Sequence, residues 1–272
     1  MLKKQLELQT SLNIEYSGIT FKEFIDMFMK HESLYKEYGT MITYKYAVQK
    51  FESIYNMKLE DIKNIHIQQC VDSMIKDKLK IPTIKLYVGK IKVIFDSAVN
   101  HYNAIPNSPI VNIKIPENKE LNSKRALTKN ELNDLLSKIK NPKYYIASLI
   151  AATCGLRLGE ILGLTWDDVD FKKNTINVNK QWKEFKNSMY GFGELKTKNS
   201  KRIIPVPKTT LKELEEYKNS NKVVCINNRL LKYKIPTDFS LALRTMYKQL
   251  GYNISIHELR HTYATTLIAN LK

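Results

Sequence analysis

The sequence predicts a mostly α-helical chain with a small antiparallel β-sheet in the second of two domains, an α+β organisation. Three observations predict it. Apolar residues recur at helical spacing behind two capping boxes, Thr20-Phe-Lys-Glu23 and Thr128-Lys-Asn-Glu131. Period-two alternation appears in Thr175-Ile-Asn-Val-Asn and in Arg202-Ile-Ile-Pro-Val-Pro207. Between the capping boxes the helical pattern breaks in a polar stretch marked by Pro106, Pro109 and Pro116. The expected organisation is a lead-in over residues 1–19, a helical domain over 20–105, a linker over 106–126 and a second domain over 127–272.

In the first domain, Phe24, Ile25, Phe28 and Met29 follow the first capping box at helical spacing. Further helices are predicted over Thr40 to Asn56, His66 to Lys78 and Pro82 to Tyr102, with Pro82 suited to a first helical position. Ile84, Val88, Ile91, Phe95, Ala98 and Val99 form the apolar stripe of the last of these, and Lys85, Lys90 and Lys92 lie off it.

In the second domain, Leu132, Leu135, Leu136 and Ile139 mark the buried side of an opening helix. An apolar helix runs from Pro142 to Thr153, and Gly155 ends it. The next helix carries Arg157 and Glu160. After Thr165-Trp-Asp-Asp-Val-Asp170-Phe the pattern turns to strands, with Pro205 hinting that the second strand is an edge. A long basic hairpin from Lys183 to Lys201 separates the strands and contains Gly191 and Gly193. Helices resume over Leu211 to Tyr217 and Asp238 to Leu250, and Gly251 and Asn253 precede a final helix carrying His257.

Composition bounds the function. Of 272 residues, 43% are hydrophobic and 26% charged, the balance of a globular chain with two cores. Forty-four Lys and Arg stand against 27 Asp and Glu, a formal net charge of +17. An excess of that size repels itself unless an anionic partner neutralises it, and nucleic acid is the leading candidate. A merely lysine-rich surface is the competing reading. Cys70, Cys154 and Cys225 have neither metal-ligand spacing nor even pairing, which points to a reducing cytoplasm without a disulfide framework. No apolar run approaches membrane-spanning length and the N-terminus lacks a signal-peptide pattern, so a soluble, cytoplasmic protein is expected.

Two segments carry the candidate chemistry, Cys154-Gly-Leu-Arg157-Leu-Gly-Glu160 and His257-Glu-Leu-Arg260-His261-Thr-Tyr-Ala-Thr. A guanidinium matches two phosphate oxygens at once and stabilises charge that develops on them. Arg157 follows a glycine at a helix start, and Glu160, three residues on, shares its face and is placed to orient it. The competing reading is a surface ion pair contributing a few tenths of a kcal/mol. The i,i+3 spacing puts His257 and Arg260 on one face, where an imidazole can donate to phosphate or move a proton. His261 and Tyr263 read as partly buried, structural residues. The hairpin segment Leu195-Lys196-Thr-Lys198-Asn-Ser-Lys201-Arg202 offers a lysine that can protonate a leaving oxygen, against the competing reading of a solvated turn.

These residues together resemble a known family. Gly155-Leu-Arg157-Leu-Gly-Glu160-Ile-Leu-Gly-Leu-Thr-Trp-Asp-Asp-Val-Asp170-Phe is similar to the first-arginine box of tyrosine recombinases, especially phage and conjugative-transposon integrases. His257-Glu-Leu-Arg260-His261 resembles their H-x-x-R-H box, and Lys196-Thr-Lys-Asn-Ser-Lys-Arg-Ile-Ile-Pro205 their lysine hairpin. The helical first domain resembles their core-binding, SAM-like domain. The resemblance implies a two-domain clamp on double-stranded DNA and site-specific recombination through a 3′-phosphotyrosyl intermediate, without metal or cofactor. It implies that Arg157 and Arg260 hold the scissile phosphate, His257 assists, Lys196 is the general acid with Lys198 as alternative, and Glu160 and His261 support. Lys45 and Lys85, on first-domain helices, are placed on the DNA side.

The sequence departs from the family pattern in two places. Twelve residues follow Arg260, and the one tyrosine among them, Tyr263, belongs to the box itself. The chain is therefore read as a C-terminally truncated member without its nucleophile, monomeric where the full-length family forms tetramers on DNA. A small N-terminal arm-binding domain is also read as missing. The alternative function is a non-catalytic DNA-binding remnant or regulator derived from an integrase. A basic RNA-binding protein would show no preference for duplex DNA, and type IB topoisomerases share the chemistry but not the wording of the two boxes.

Overall fold

The computed structural model describes residues 16–117, 126–195, 197, 200–220 and 227–270. The chain separates into two units, residues 1–121 and 122–272. Residues 1–15 of the expected lead-in, 118–125 of the expected linker, and Cys225 lie outside the described residues.

The first unit is helical. Thr20 caps α1 (Phe21–Glu32): its hydroxyl accepts the Glu23 N–H at 3.3 Å while the Glu23 carboxylate accepts the Thr20 N–H at 2.8 Å. Helices α2 (Tyr38–Gln49), α3 (Asn64–Lys76) and α4 (Ile81–Asn100) follow, the last with Pro82 in its first turn. Their core is aromatic. Phe21 stacks on Phe95 with ring centroids 5.0 Å apart, while Phe24 meets Tyr102 and Phe28 meets Tyr44 edge-on. The helix expected to reach Asn56 stops at Gln49. Phe51 is fully buried at φ −118°, outside the helical range, and a 3₁₀ turn over Glu52–Ile54 then brings Ile54 into the same core. The proline-marked stretch is irregular, bending at Asn112 (φ +49°), and its end lies against α3. The Gln68 side-chain amide accepts the Lys114 N–H at 2.8 Å and donates to the Lys114 carbonyl at 3.0 Å, with Ile110, Ile113 and Ile115 packed on the core.

The second unit opens with α5 (Lys129–Lys138), capped reciprocally by Thr128 and Glu131. Helix α6 (Pro142–Cys154) is capped by Asn141 and is apolar nearly all round, which marks it as the central element. Helices α7 (Leu158–Gly163), α8 (Lys208–Ser220) and α10 (Ile256–Asn270) pack against it, and α9 (Pro236–Gln249) packs on α7 and α10. Strands β1 (Val169–Asp170), β2 (Thr175–Val178) and β5 (Arg202–Pro205) form an antiparallel sheet in the order β1-β2-β5, so the proline-bearing strand is an edge. The stretch expected as one long hairpin contains a separate antiparallel pair, β3 (Gln181–Glu184) and β4 (Tyr190–Gly193). Trp182 and Phe192 face each other across it, ring centroids 5.3 Å apart, and this aromatic pair gives the ladder its apolar side.

Helix α7 lies unusually close to β3. A side-chain carbon at Gly163 would fall within 2.8 Å of the Gln181 backbone, so only glycine fits there. The Trp182 indole N–H donates to the Lys234 carbonyl at 2.8 Å, and the Arg229 guanidinium stacks on its ring at 3.5 Å. No described helix is long and apolar enough to cross a membrane.

Truncating Phe95 tests the aromatic core. Phe95→Ala removes the stacking partner of Phe21 from a fully buried position and should destabilise the first unit by about 3–5 kcal/mol. Urea denaturation followed by circular dichroism measures it, and a loss below about 1 kcal/mol would contradict this packing.

Candidate active site

The site is organised around the end of α6. Gly155 terminates that helix at φ +65°, a left-handed conformation that costs any side-chain-bearing residue energy. The Tyr263 ring of α10 lies against the same glycine, and a methyl group there would overlap the ring. The Gly155 carbonyl accepts a hydrogen bond from the Arg260 guanidinium. Two residues further on, Arg157 is the N-cap of α7. One turn thus places Arg157 and anchors Arg260, although the two arise far apart in sequence.

Glu160, on α7, sits beneath the arginines with 2% exposure. Its carboxylate accepts the Arg157 backbone N–H at 3.0 Å and an Arg157 guanidinium N–H at 2.9 Å. A third arginine shares it. Arg202, opening β5, donates to the same carboxylate at 3.0 Å and, more weakly, 3.5 Å, and to the Ser200 carbonyl at 2.9 Å. Burial pushes the Glu160 pKa upward, but hydrogen bonds from Arg202 and from Arg157 outweigh it and hold the carboxyl below its ordinary value. The Arg260 pKa is lowered, first by burial and then by the positive charge of Arg157, with Glu160 opposing and Arg202 adding to the effect. The three guanidiniums are therefore close enough to feel one another.

His257 and His261 lie in the first turns of α10, both exposed, with rings edge-to-face at 4.8 Å between centroids. The start of α10 is held by Ser255 and Glu258. The Glu258 carboxylate accepts both the Ser255 backbone N–H and its hydroxyl, and Ser255 Oγ accepts the His257 N–H at 3.3 Å. The expectation that His261 is partly buried does not hold, since a helical position four residues beyond exposed His257 falls on the same outward face. Tyr263 is half-buried, as expected of a structural residue. Thr262 Oγ accepts the Leu127 N–H at 3.0 Å, joining α10 to the start of the unit.

Lys196 and Lys198 lie outside the described residues; the chain on either side of them is placed by buried Leu195 and by Arg202. Lys45 and Lys85 are exposed on α2 and α4 of the first unit. Among the described residues no group of three or more His, Cys, Asp or Glu is arranged to hold a metal ion. Arg202 is the residue that sequence reasoning missed. Its signal is visible in hindsight of the strand's phase: Arg202 shares the less exposed face of β5 with Ile204, while Ile203 points outward.

The model of the phage integrase family matches residues 125–271, and that of the phage integrase N-terminal SAM-like domain matches residues 20–75. The chain belongs to the phage integrase family. It is a member of the tyrosine recombinases, as the motifs led one to expect. A XerC-like tyrosine recombinase of Caldanaerobacter subterraneus is 26% identical over 96% of this chain and 75% of its own length. The ICEBs1 integrase of Bacillus subtilis is 24% identical over 98% and 78%. The transposase of transposon Tn916 from Enterococcus faecalis is 25% identical over 76% of this chain and 56% of its own. Among solved structures, the Tn1549 transposon integrase in complex with a circular intermediate DNA superposes with a TM-score of 0.79 at 19% identity, covering 92% of this chain and 87% of that one. A lambda integrase dimer bound to a COC′ core site reaches 0.64 at 16%, covering 91% and 89%. At these identities the two structures establish the shared fold.

Two substitutions probe the cluster. Gly155→Ala should cost about 2–4 kcal/mol, because it combines a strained backbone with overlap on Tyr263, and thermal unfolding reads it. Glu160→Gln should destabilise the protein near neutral pH. Because the folded pKa of Glu160 lies below its reference of 4.5, its contribution is present above that value and lost as pH falls through the folded one. The stability gap between wild type and Glu160→Gln should therefore shrink on acidification, and a gap that widens would reverse the sign.

Proposed function

We propose that the protein is the site-specific DNA recombinase of a mobile element and that it holds one phosphodiester of duplex DNA between Arg157 and Arg260. The observation that carries this reading is the charge of the cluster. Arg157 and Arg202 pair with one buried carboxylate, Glu160, and Arg260 lies within electrostatic reach of all three, which leaves two positive charges uncompensated in a partly desolvated place. Arg157 keeps 55% of its side chain exposed while paired with Glu160, so it has donors left for an oxyanion. Such a cluster is stabilised by a phosphate, and its rigid partners aim the donors before the ligand arrives. The family supports duplex DNA as the source of that phosphate, as does the likeness to integrases solved in complex with DNA.

The reaction assigned to these groups is transesterification. Arg157 and Arg260 neutralise charge on the non-bridging oxygens, His257 adds a hydrogen bond, and Lys196, or Lys198, protonates the leaving 5′-oxygen. Glu160 orients Arg157, and His261 supports His257 from one turn along α10. No metal or cofactor enters this chemistry. The nucleophile in the family is a tyrosine; within the 272-residue sequence the one tyrosine after Arg260 is Tyr263, whose ring packs against Gly155. A second reading is a DNA-binding regulator that occupies its site without cutting. The protein acts in the cytoplasm, and the 272-residue polypeptide is expected to be monomeric off DNA.

Duplex binding followed by fluorescence anisotropy tests the shared part of both readings. The affinity should fall roughly 10³-fold or more between 50 and 200 mM salt if six to ten phosphates are contacted. Salt-independent binding, or equal affinity for duplex RNA, would defeat it. Nicked duplexes then separate cutting from occupancy. The 272-residue polypeptide should leave no SDS-resistant adduct, and an adduct abolished by Tyr263→Phe would make that residue a nucleophile.

A further inference from the structure

We infer that Arg202 is a positioning residue of the phosphate site: it acts through Glu160, offsetting and fixing the carboxylate so that Arg157 keeps its charge for the substrate. This inference rests on the phosphate-clamp reading above, which counts the charge of Arg202 but gives it no role of its own.

A carboxylate that orients an arginine also competes for it. If Glu160 faced Arg157 alone, the pair would be neutral, and the carboxylate would repel a phosphate brought to the same guanidinium. Arg202 removes that conflict. Its fork donates at 3.0 Å to the Glu160 oxygen that also accepts the Arg157 backbone N–H. Its other terminal nitrogen donates to the Ser200 carbonyl, so both ends of the fork are engaged by the protein. The Arg202 side chain is 27% exposed against 55% for Arg157, which fits one guanidinium turned to the carboxylate and one turned outward. Arg202 is also the leading influence that holds the Glu160 carboxyl in its ionised form against the cost of burial.

The geometry has a second consequence. Arg202 opens β5, and the segment bearing Lys196 and Lys198 enters that strand through Ser200. The Arg202–Glu160 bridge therefore ties the end of that segment to α7, the helix that Arg157 caps. A lysine would supply the charge but not the two-pronged bridge to Glu160 Oε2 and Ser200 O.

The test uses the whole chain and inorganic phosphate, so that no target DNA sequence is needed, with binding read from broadening of the ³¹P resonance. Arg157→Gln and Arg260→Gln come first. If neither weakens phosphate binding, the clamp reading itself fails. If they do, Arg202→Gln should weaken binding about tenfold, by lowering the net charge of the cluster by one. The deciding measurement is the cycle with Glu160→Gln: Arg202→Gln should cost about tenfold in wild type but less than about threefold once Glu160 is already an amide. Wild-type affinity in Arg202→Gln would overturn the inference. So would an equal loss in both backgrounds at unchanged melting temperatures, because Arg202 would then touch the anion directly or act as a plain strut. Should Arg202→Gln alone not fold, the comparison of the double variant with Glu160→Gln still decides between these outcomes.

Discussion

Burying a carboxylate costs several kcal/mol unless charged donors surround it, and Glu160 meets that condition with both of its oxygens. The arrangement of the second unit follows from satisfying it. Arg157 must stand at the N-cap of α7 to present its backbone N–H, and β5 must run beside α7 to deliver Arg202. The glycine at 163 allows β3 to approach from the other side without a side chain between them. Removing either arginine would leave a buried charge short of donors, whereas replacing the carboxylate by an amide would leave two guanidiniums repelling each other. The interaction that stabilises the fold here is the same one that accumulates positive charge.

Helix α10 carries the other half of the site, and its position is over-determined. Arg260 is tied to the Gly155 carbonyl, Thr262 to the Leu127 N–H, and Tyr263 to the surface of Gly155 itself. These contacts fall within about one turn of the helix, so His257 and Arg260 are held on a rigid helix rather than a loop. The left-handed turn at Gly155 is what lets the apolar helix α6 end beneath them and the chain continue into α7. The exposed His257 and His261 pair then edges the positive cluster with two imidazole rings.

Local features of the fold were legible in the sequence because their causes are local. The capping boxes at Thr20 and Thr128 appear in the structure as reciprocal hydrogen bonds, and the glycine after Cys154 ends its helix as the chain chemistry requires. Where packing intervened, the reading missed. The helical periodicity beyond Gln49 continues on paper, but burying Phe51 takes the backbone out of the helix. The ladder of β3 and β4 was hidden inside a basic stretch because its cohesion comes from a cross-strand pair, Trp182 and Phe192, and only strand register reveals it.

The site divides in the same way. The residue types and spacings of the two arginine boxes by themselves pointed to the family and named Arg157, Glu160, His257 and Arg260 as its candidate phosphate-binding residues, because a phosphate needs donors of that kind on helical faces. Which charges share a partner was decided by the tertiary structure alone. Arg202 looked like one more cation in a basic hairpin until the sheet brought it to Glu160, and His261 looked like a core residue until the helix turned it outward. The physical reason is that a side chain's chemistry is written in its own atoms, whereas its charge state, burial and partners are set by whatever the rest of the chain places within a few ångströms of it.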